Sequence, residues 1–250
     1  MERAIIANRK YDKGEVRKEM SERKMKRVGD SLTEQSHLLM PKCLNAAGYL
    51  FGGQLLAWID EVPKYGNDLP DVDHFAREVA YTYTKPLEKY HNPRGGQYQA
   101  GLYPVSANVP LGGQTGATPD GRLANTPIAD GVGPVAGRDV KGPTATANSV
   151  ARLDHFIASN GTLFNQKFHP SALSGMEGLQ KFTSLIRAYF DQKGMHMQFN
   201  VVSRETLLDA QAHPEKYKGL VVRVAGYSAL FTTLSRSLQD DIINRTTQGF

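Results

Sequence analysis

The chain has 250 residues, 40% hydrophobic and 22% charged, an ordinary globular composition with room for one large domain or two small ones. Its single cysteine, Cys43, excludes a disulfide framework within the chain, and no segment approaches about 18 continuous apolar residues, which excludes a simple spanning helix. Of the net charge of +5, +4 falls in residues 1–30, where ten Lys/Arg face six Asp/Glu at helical spacings; this reads as a solvated helix face, and nothing in the nearly neutral remainder calls for nucleic acid or a membrane surface.

In chain order, residues 31–62, "SLTEQSHLLMPKCLNAAGYLFGGQLLAWIDEV", predict a strand, a glycine-punctuated turn, and an apolar helix from about Gly53. The texture changes at Pro63. After turn residues, "DVDHFAREVAYTYTKPLEKY" predicts a helix with Phe75, Val79 and Tyr83 at i, i+4 spacing. "GLYPVSANVPLG" reads as a buried strand, and about forty residues dense in Gly, Pro, Thr and Asp follow, a loop length usually tied to function or wrapped on a scaffold. Residues 176–190 predict an amphipathic helix with Leu179, Phe182, Leu185, Ile186 and Tyr189 on one side. "MQFNVVS" is a strand and "RETLLDAQ" a helix with Ser203 as its N-cap. "VVRVAGYSALFTTL" predicts a strand that breaks at Gly226 and restarts as a helix, before a final helix to about Arg245. No internal repeat is present, and strand–helix alternation from residue 101 onward indicates an α/β fold.

Two chemistries suit the corner at Gly226. A serine nucleophile elbow needs G-x-S-x-G; Gly226 and Ser228 fit, but position 230 is leucine, so Ser228 is expected to serve as a helix N-cap instead. "GGQTGATPDG" lacks the Gly-Lys-Ser/Thr ending of a phosphate loop, and "GVGPVAG" misses G-x-G-x-x-G spacing. The seven histidines include no H-E-x-x-H pair; His169 and His196 are read as satisfied structural residues, and no metal site is expected.

The other chemistry makes the glycine itself the reacting residue. "RVAGYSA", Arg223 to Ala229, resembles the radical-bearing loop of the glycyl radical enzymes. "PKYGND", "SANVPLG", "TGATPDGR", "TPIADGVGP", "GRDVKGPTA", "NGTLFNQKFHP", "QFNVVS" and "DAQAHPEKY" stand in the order of that family's C-terminal portion, so the resemblance covers residues 63–250. It is similar to the diol dehydratase, choline lyase and isethionate lyase branch of the pyruvate formate-lyase-like enzymes. Removing a Cα hydrogen leaves an unpaired electron between an amide nitrogen and a carbonyl, and only glycine has no β-carbon to oppose a planar centre. Val222, Val224 and Leu230 are expected to keep that site dry.

The resemblance implies Gly226 as the catalytic, radical-bearing residue. It also implies a separate activating enzyme with an iron–sulfur cluster and S-adenosylmethionine, a thiyl cysteine that receives the radical, and a small-molecule substrate. No bound cofactor is expected. Tyr103, on the predicted "GLYPVSANVP" strand, reads equally well as a substrate-binding residue or as an ordinary core tyrosine. The family's thiyl cysteine lies far upstream of "PKYGND", in a part this chain is read as lacking; Cys43 sits in another context, where a small apolar filler is the simplest role.

That context carries a second resemblance. "LLMPKCLNAAGYLFGGQLLAWIDE" resembles the opening of hotdog-fold acyl-CoA thioesterases, in which the loop with Asn45, the Phe51-Gly52-Gly53 turn and the helix with Asp60 and Glu61 would cradle and hydrolyse a thioester.

The expected division is a thioesterase-like fragment over 1–62, a barrel remnant over 63–119 and a glycine radical domain over 120–250. The expected function is that of a truncated cytoplasmic glycyl radical lyase or dehydratase, inactive alone, cleaving carbon–oxygen, carbon–nitrogen or carbon–sulfur bonds. The alternatives are a spare-part radical domain that complements a damaged full-length enzyme, and a thioesterase remnant.

Overall fold

In a computed structural model that describes Val62 and residues 64–118 and 121–250, the first helix, α1, runs Pro70–Leu87. Pro70 suits the first turn, and Asp71 and Asp73 favour the positive end of the helix dipole. Ala76 and Ala80 are buried, so the helix backbone lies close to its neighbours, with Val79 and Tyr83 packed beside them. Phe75 does not share that face and is 48% exposed, because one residue's rotation carries it round the helix from Ala76. The readings of residues 31–61, including Cys43, Asn45, Gly53, Asp60 and Glu61, lie outside the described residues.

The predicted strand over "GLYPVSANVPLG" is not formed. Leu102 makes a single parallel bridge to Thr162, the chain turns at Pro104–Ala107, and a short helix, α2, occupies Asn108–Gly113. Pro104 and Pro110 cannot donate to a ladder, and Pro110 fits a first helical turn. The long Gly/Pro-rich loop then passes against α2 so closely that a Cβ on Gly112 would meet Thr126 O at 2.3 Å. Arg122 is buried inside that loop, and its guanidinium donates to Thr126 O (2.7 Å), Leu123 O (3.2 Å) and Gly116 O.

Helix α3, Gly142–Ala151, is tied back to α1 by Arg152, which pairs with the buried Asp73 and with Asp68 at 2.6 Å. Strand β1 (Asn165–Phe168), helix α4 (Gly175–Asp191) and strand β2 (Gln198–Val201) form a βαβ unit, with β1 and β2 parallel and Asn165 opposite Gln198. Helix α4 matches its prediction closely; Leu185 and Tyr189 are buried, whereas Leu179 at its start is exposed. Helix α5, Arg204–Ala212, is capped as predicted, with Ser203 Oγ accepting from Thr206 N at 3.0 Å.

Strands β3 (Val221–Arg223) and β4 (Ser228–Leu230) form an antiparallel hairpin. Helix α6, Arg236–Asn244, leads into β5, Thr247–Gln248, which pairs parallel to β1 and completes a sheet of order β2-β1-β5.

Side chains alternate across this sheet, and its two faces differ in kind. On one, Phe168 and Phe199 meet Phe182 of α4 at ring separations of 5.4 Å and 4.6 Å, in a core shared with Phe164, Leu185 and Tyr189. The other presents Asn165 and Lys167 of β1 beside Gln198 and Asn200 of β2, all four residues polar and buried or nearly so. A second apolar cluster, with Leu207, Val222, Val224, Phe231, Leu238 and Ile242, unites α5, the hairpin and α6.

Candidate functional site

The hairpin corrects the expected strand-to-helix corner. Val224 N–H donates to Tyr227 O (2.9 Å) and closes a two-residue turn at Ala225-Gly226, in which Gly226 has φ +83°. That is a conformation glycine adopts without steric cost, and it reverses the chain. Ser228 is consequently extended and pairs with Arg223 across the hairpin; it caps no helix, and its hydroxyl accepts from Arg223 Nη1 at 3.1 Å. The chain tightens into a 3₁₀ turn only at Phe231–Thr233.

Polar side chains fasten this hairpin to the body. Asn200 grips the backbone of Arg223 from both sides, its Nδ2 donating to Arg223 O (2.7 Å) and its Oδ1 accepting from Arg223 N (2.8 Å). The Arg223 side chain reaches back to Gln198 Oε1 (2.8 Å) and forward to Gly226 O (3.4 Å). Gln198 in turn donates to Asn165, whose Nδ2 contacts Asp130 Oδ2 (2.7 Å) and Val224 O (3.3 Å). Arg245, just past α6, donates to Val224 O at 2.6 Å while pairing with Asp130 (2.9 Å) and Asp241 (2.8 Å). The polar row on the sheet is therefore the surface on which the hairpin rests.

Gly226 itself is exposed at the turn, and a Cβ there would stand 3.2 Å from Leu163 Cδ1. The expected dry wall forms on one side only. Val222 and Val224 are buried, but Leu230 is 40% exposed, because it pairs with Val221 on the outward side of the ribbon.

Tyr103 lies on no strand and is 39% exposed, with its hydroxyl accepting from Asn160 Nδ2 at 3.0 Å. It does not line the cavity described next, and its exposure sets it apart from the core tyrosines Tyr65 and Tyr189. His169 caps the 3₁₀ turn Pro170–Leu173, and His196 Nδ1 accepts from Phe164 N at 3.3 Å, structural roles for both.

Among the side chains that anchor the hairpin opens a cavity of about 600 Å³, lined by no hairpin residue, whose lining includes Asp130, Asp139, Asn165, Lys167, Asp241 and Arg245. Lys167 is 2% exposed and donates to Ile243 O (2.8 Å) and Ile242 O (3.3 Å), carbonyls at the C-terminal end of α6. Burial, with Arg204 and Arg245 nearby, pulls its ammonium down to about 8. Asp139 accepts from Thr246 (2.5 Å) and Gln248 (2.5 Å), and burial pushes its carboxyl up to about 6. Burial likewise raises Asp130, against the pull of Arg245. Asp130 and the row Asn165–Lys167–Gln198–Asn200 stand inside stretches that carry the family resemblance, but those motifs assign no role to them or to Arg245. The one local signal was polar residues at alternate positions in strands otherwise fit for burial, in "NQKF" and "QFNV".

Residues 128–232, which hold the hairpin and most of its anchors, match the family model described as "Glycine radical". That part of the chain is similar to glycine radical domains. Residues 33–112 match the model described as "Pyruvate formate lyase-like", a match that spans the whole stretch bearing the thioesterase resemblance, residues 38–61, and runs on past the expected boundary at residue 62. Among curated relatives, the chain is 52% identical over 195 residues to the "Probable dehydratase YbiW" of Escherichia coli K12, covering 75% of this chain and 24% of that protein. It is 44% identical over 191 residues to the "Trans-4-hydroxy-L-proline dehydratase" of Clostridioides difficile, covering 76% and 24%. Among solved structures, the B12-independent glycerol dehydratase of Clostridium butyricum in its glycerol-bound form superposes with a TM-score of 0.73 at 60% identity, covering 79% of this chain and 25% of that one. A protein solved in work on 1,2-propanediol dehydration in Roseburia inulinivorans gives a TM-score of 0.73 at 74% identity, covering 78% and 23%. The chain thus spans about a quarter of the length of the curated relatives named here. No helix among the described residues is long and apolar enough to cross a membrane.

Proposed function

We propose that Gly226 is the residue of the glycine radical domain that carries the unpaired electron, and that the chain serves radical cleavage of carbon–oxygen, carbon–nitrogen or carbon–sulfur bonds in a small substrate. One observation carries the reading: the turn inside the matched domain holds an exposed glycine at positive φ, anchored mainly through the backbone of its neighbours Arg223 and Val224. A separate enzyme supplied with S-adenosylmethionine and an iron–sulfur cluster would remove one Cα hydrogen, leaving the electron shared with the flanking amide and carbonyl. In this chain Gly226 is exposed at its turn, which is where such an enzyme would act. The radical's sensitivity to oxygen favours a reducing cytoplasm.

The activity of a whole enzyme requires a cysteine to receive the radical. The chain's one cysteine, Cys43, lies outside the described residues. We assign residues 120–250 to the radical domain, residues 63–119 to the barrel portion, and Tyr103, with its hydroxyl held by Asn160, to the substrate side. That the chain spans about a quarter of its relatives' length favours a second reading, in which the domain lends its radical to a full-length glycyl radical enzyme.

The test is anaerobic incubation with a cognate activating enzyme, S-adenosylmethionine and reductant. A doublet electron paramagnetic resonance signal is expected, since one hydrogen remains on the α-carbon. Admitting oxygen should then cut the backbone at Gly226 and release "YSALFTTLSRSLQDDIINRTTQGF". Gly226→Ala should lose both signal and cleavage. A folded sample that never gives a signal would sink the assignment, and cleavage persisting in the alanine variant would mark ordinary proteolysis.

A further inference from the structure

We infer that Arg245 is the positioning residue of the Gly226 turn, a clamp that holds the entering strand fixed so that any reshaping on radical formation is confined to the tip. The inference rests on the assignment of the radical to Gly226, but its geometry stands without it.

The hairpin tip is fastened to the body more firmly than to itself. Across the turn, Val224 N–H donates to Tyr227 O. The Val224 carbonyl points instead into the protein, where Arg245 Nη1 (2.6 Å) and Asn165 Nδ2 (3.3 Å) hold it. The guanidinium is itself immobilised between Asp130 and Asp241, and Asp241 also accepts from Asn108 of α2 at 3.2 Å. One buried cation therefore joins the hairpin backbone, the long loop and the last helix. Charge-assisted bonds of this kind are stronger than neutral ones and fix direction.

Position matters because a glycyl radical is flat. Its electron spreads onto the neighbouring amide and carbonyl only when both peptide planes approach the plane of the α-carbon. At φ +83° the amide plane is turned well away from that arrangement. The tip must flatten when the hydrogen leaves. With Val224 O clamped by Arg245 and the Arg223 backbone clamped by Asn200, the change is limited to residues 225–227, and the two strands keep their register.

Amide hydrogen exchange on the full chain without any radical tests the clamp directly. In Arg245→Lys, which keeps the charge but loses the planar fork, exchange at Val224, whose N–H donates across the turn, should accelerate roughly tenfold or more, while β1 and α4 stay within about twofold of the parent. Since losing Arg245 leaves buried acids unpaired and risks misfolding, a second variant, Arg245→Gln with Asp241→Asn, removes one of those acids; it should show the same selective acceleration. Activation then supplies a readout that structural weakening alone would not move: the Arg245→Lys radical should form but give a broadened doublet, because a loosened tip samples several degrees of planarity. Unchanged exchange at Val224, or acceleration spread evenly over β1 and α4, would overturn the clamp. Selective acceleration without any radical in the parent chain would leave the clamp standing and remove the radical assignment alone.

Discussion

The two faces of the β2-β1-β5 sheet hold their neighbours by different means. Toward α4, Phe168, Phe182 and Phe199 fill volume, and no single bond decides the outcome. On the opposite face, Asn165 and Asn200 make directional bonds to backbone atoms of the hairpin, Lys167 to carbonyls of α6, and Gln198 to the side chains of Asn165 and Arg223. An apolar face resists every displacement alike, whereas a polar face fixes one geometry and can release it bond by bond. A part of the molecule that has to present one glycine in one shape is better served by the second.

The largest effect that would sharpen this contrast is expected on the apolar side. Phe168→Ala should cost about 3–5 kcal/mol of global stability in chemical denaturation, because a buried ring surrounded by other aromatics leaves a cavity. Hydrogen exchange should rise across the whole sheet; a loss confined to α4 would show that the two faces are not one cooperative unit.

On the polar side, acidity is the sharper tool. Asp139 titrates near 4 when unfolded and at about 6 when folded, so between those values the folded chain holds a proton that the unfolded chain has lost. Its contribution is therefore most favourable at low pH and falls as pH rises through 6, by on the order of 2–3 kcal/mol. Asp139→Asn should flatten that slope relative to the parent in denaturation series between pH 4 and pH 7. An identical slope in both would mean that the carboxyl titrates normally in the folded chain.

Asn200→Ala comes next, at about 1–3 kcal/mol, because it strands the N–H of Arg223 and leaves its C=O only the longer bond from Arg245 Nη1 (3.4 Å). Faster exchange confined to the hairpin would fit the bond-by-bond picture, and a uniform rise would break it. The smallest effect is Ser203→Ala at about 1 kcal/mol, a cap lost at the start of α5 and measured by thermal unfolding.

Local features were the legible ones. The Ser203 cap and the apolar stripe of α4 depend on residues within a few positions of each other, and both form where the pattern places them. The strand expected at "GLYPVSANVP" failed because two prolines remove ladder donors, and the helix expected after Gly226 failed because Ser228–Leu230 finds a partner in Val221–Arg223. The site's anchors were hidden for another reason. Nothing near Arg245 in the sequence announces Val224 or Asp130, and nothing near Asn108 announces Asp241, 133 positions away. The alternating amides of β1 and β2 were visible, yet their meaning appears only when the register sets Asn165 beside Gln198.

Those same separations put the assembly of the site in order of time. A hairpin whose paired residues Arg223 and Ser228 are five positions apart closes on the order of microseconds. The Gly137–Thr246 and Asp139–Gln248 bonds each span 109 positions, and such contacts form slowly because long loops must close first. The turn bearing Gly226 is thus made early and fastened late, and during refolding it should stay open to a protease until the chain around Arg245 has docked.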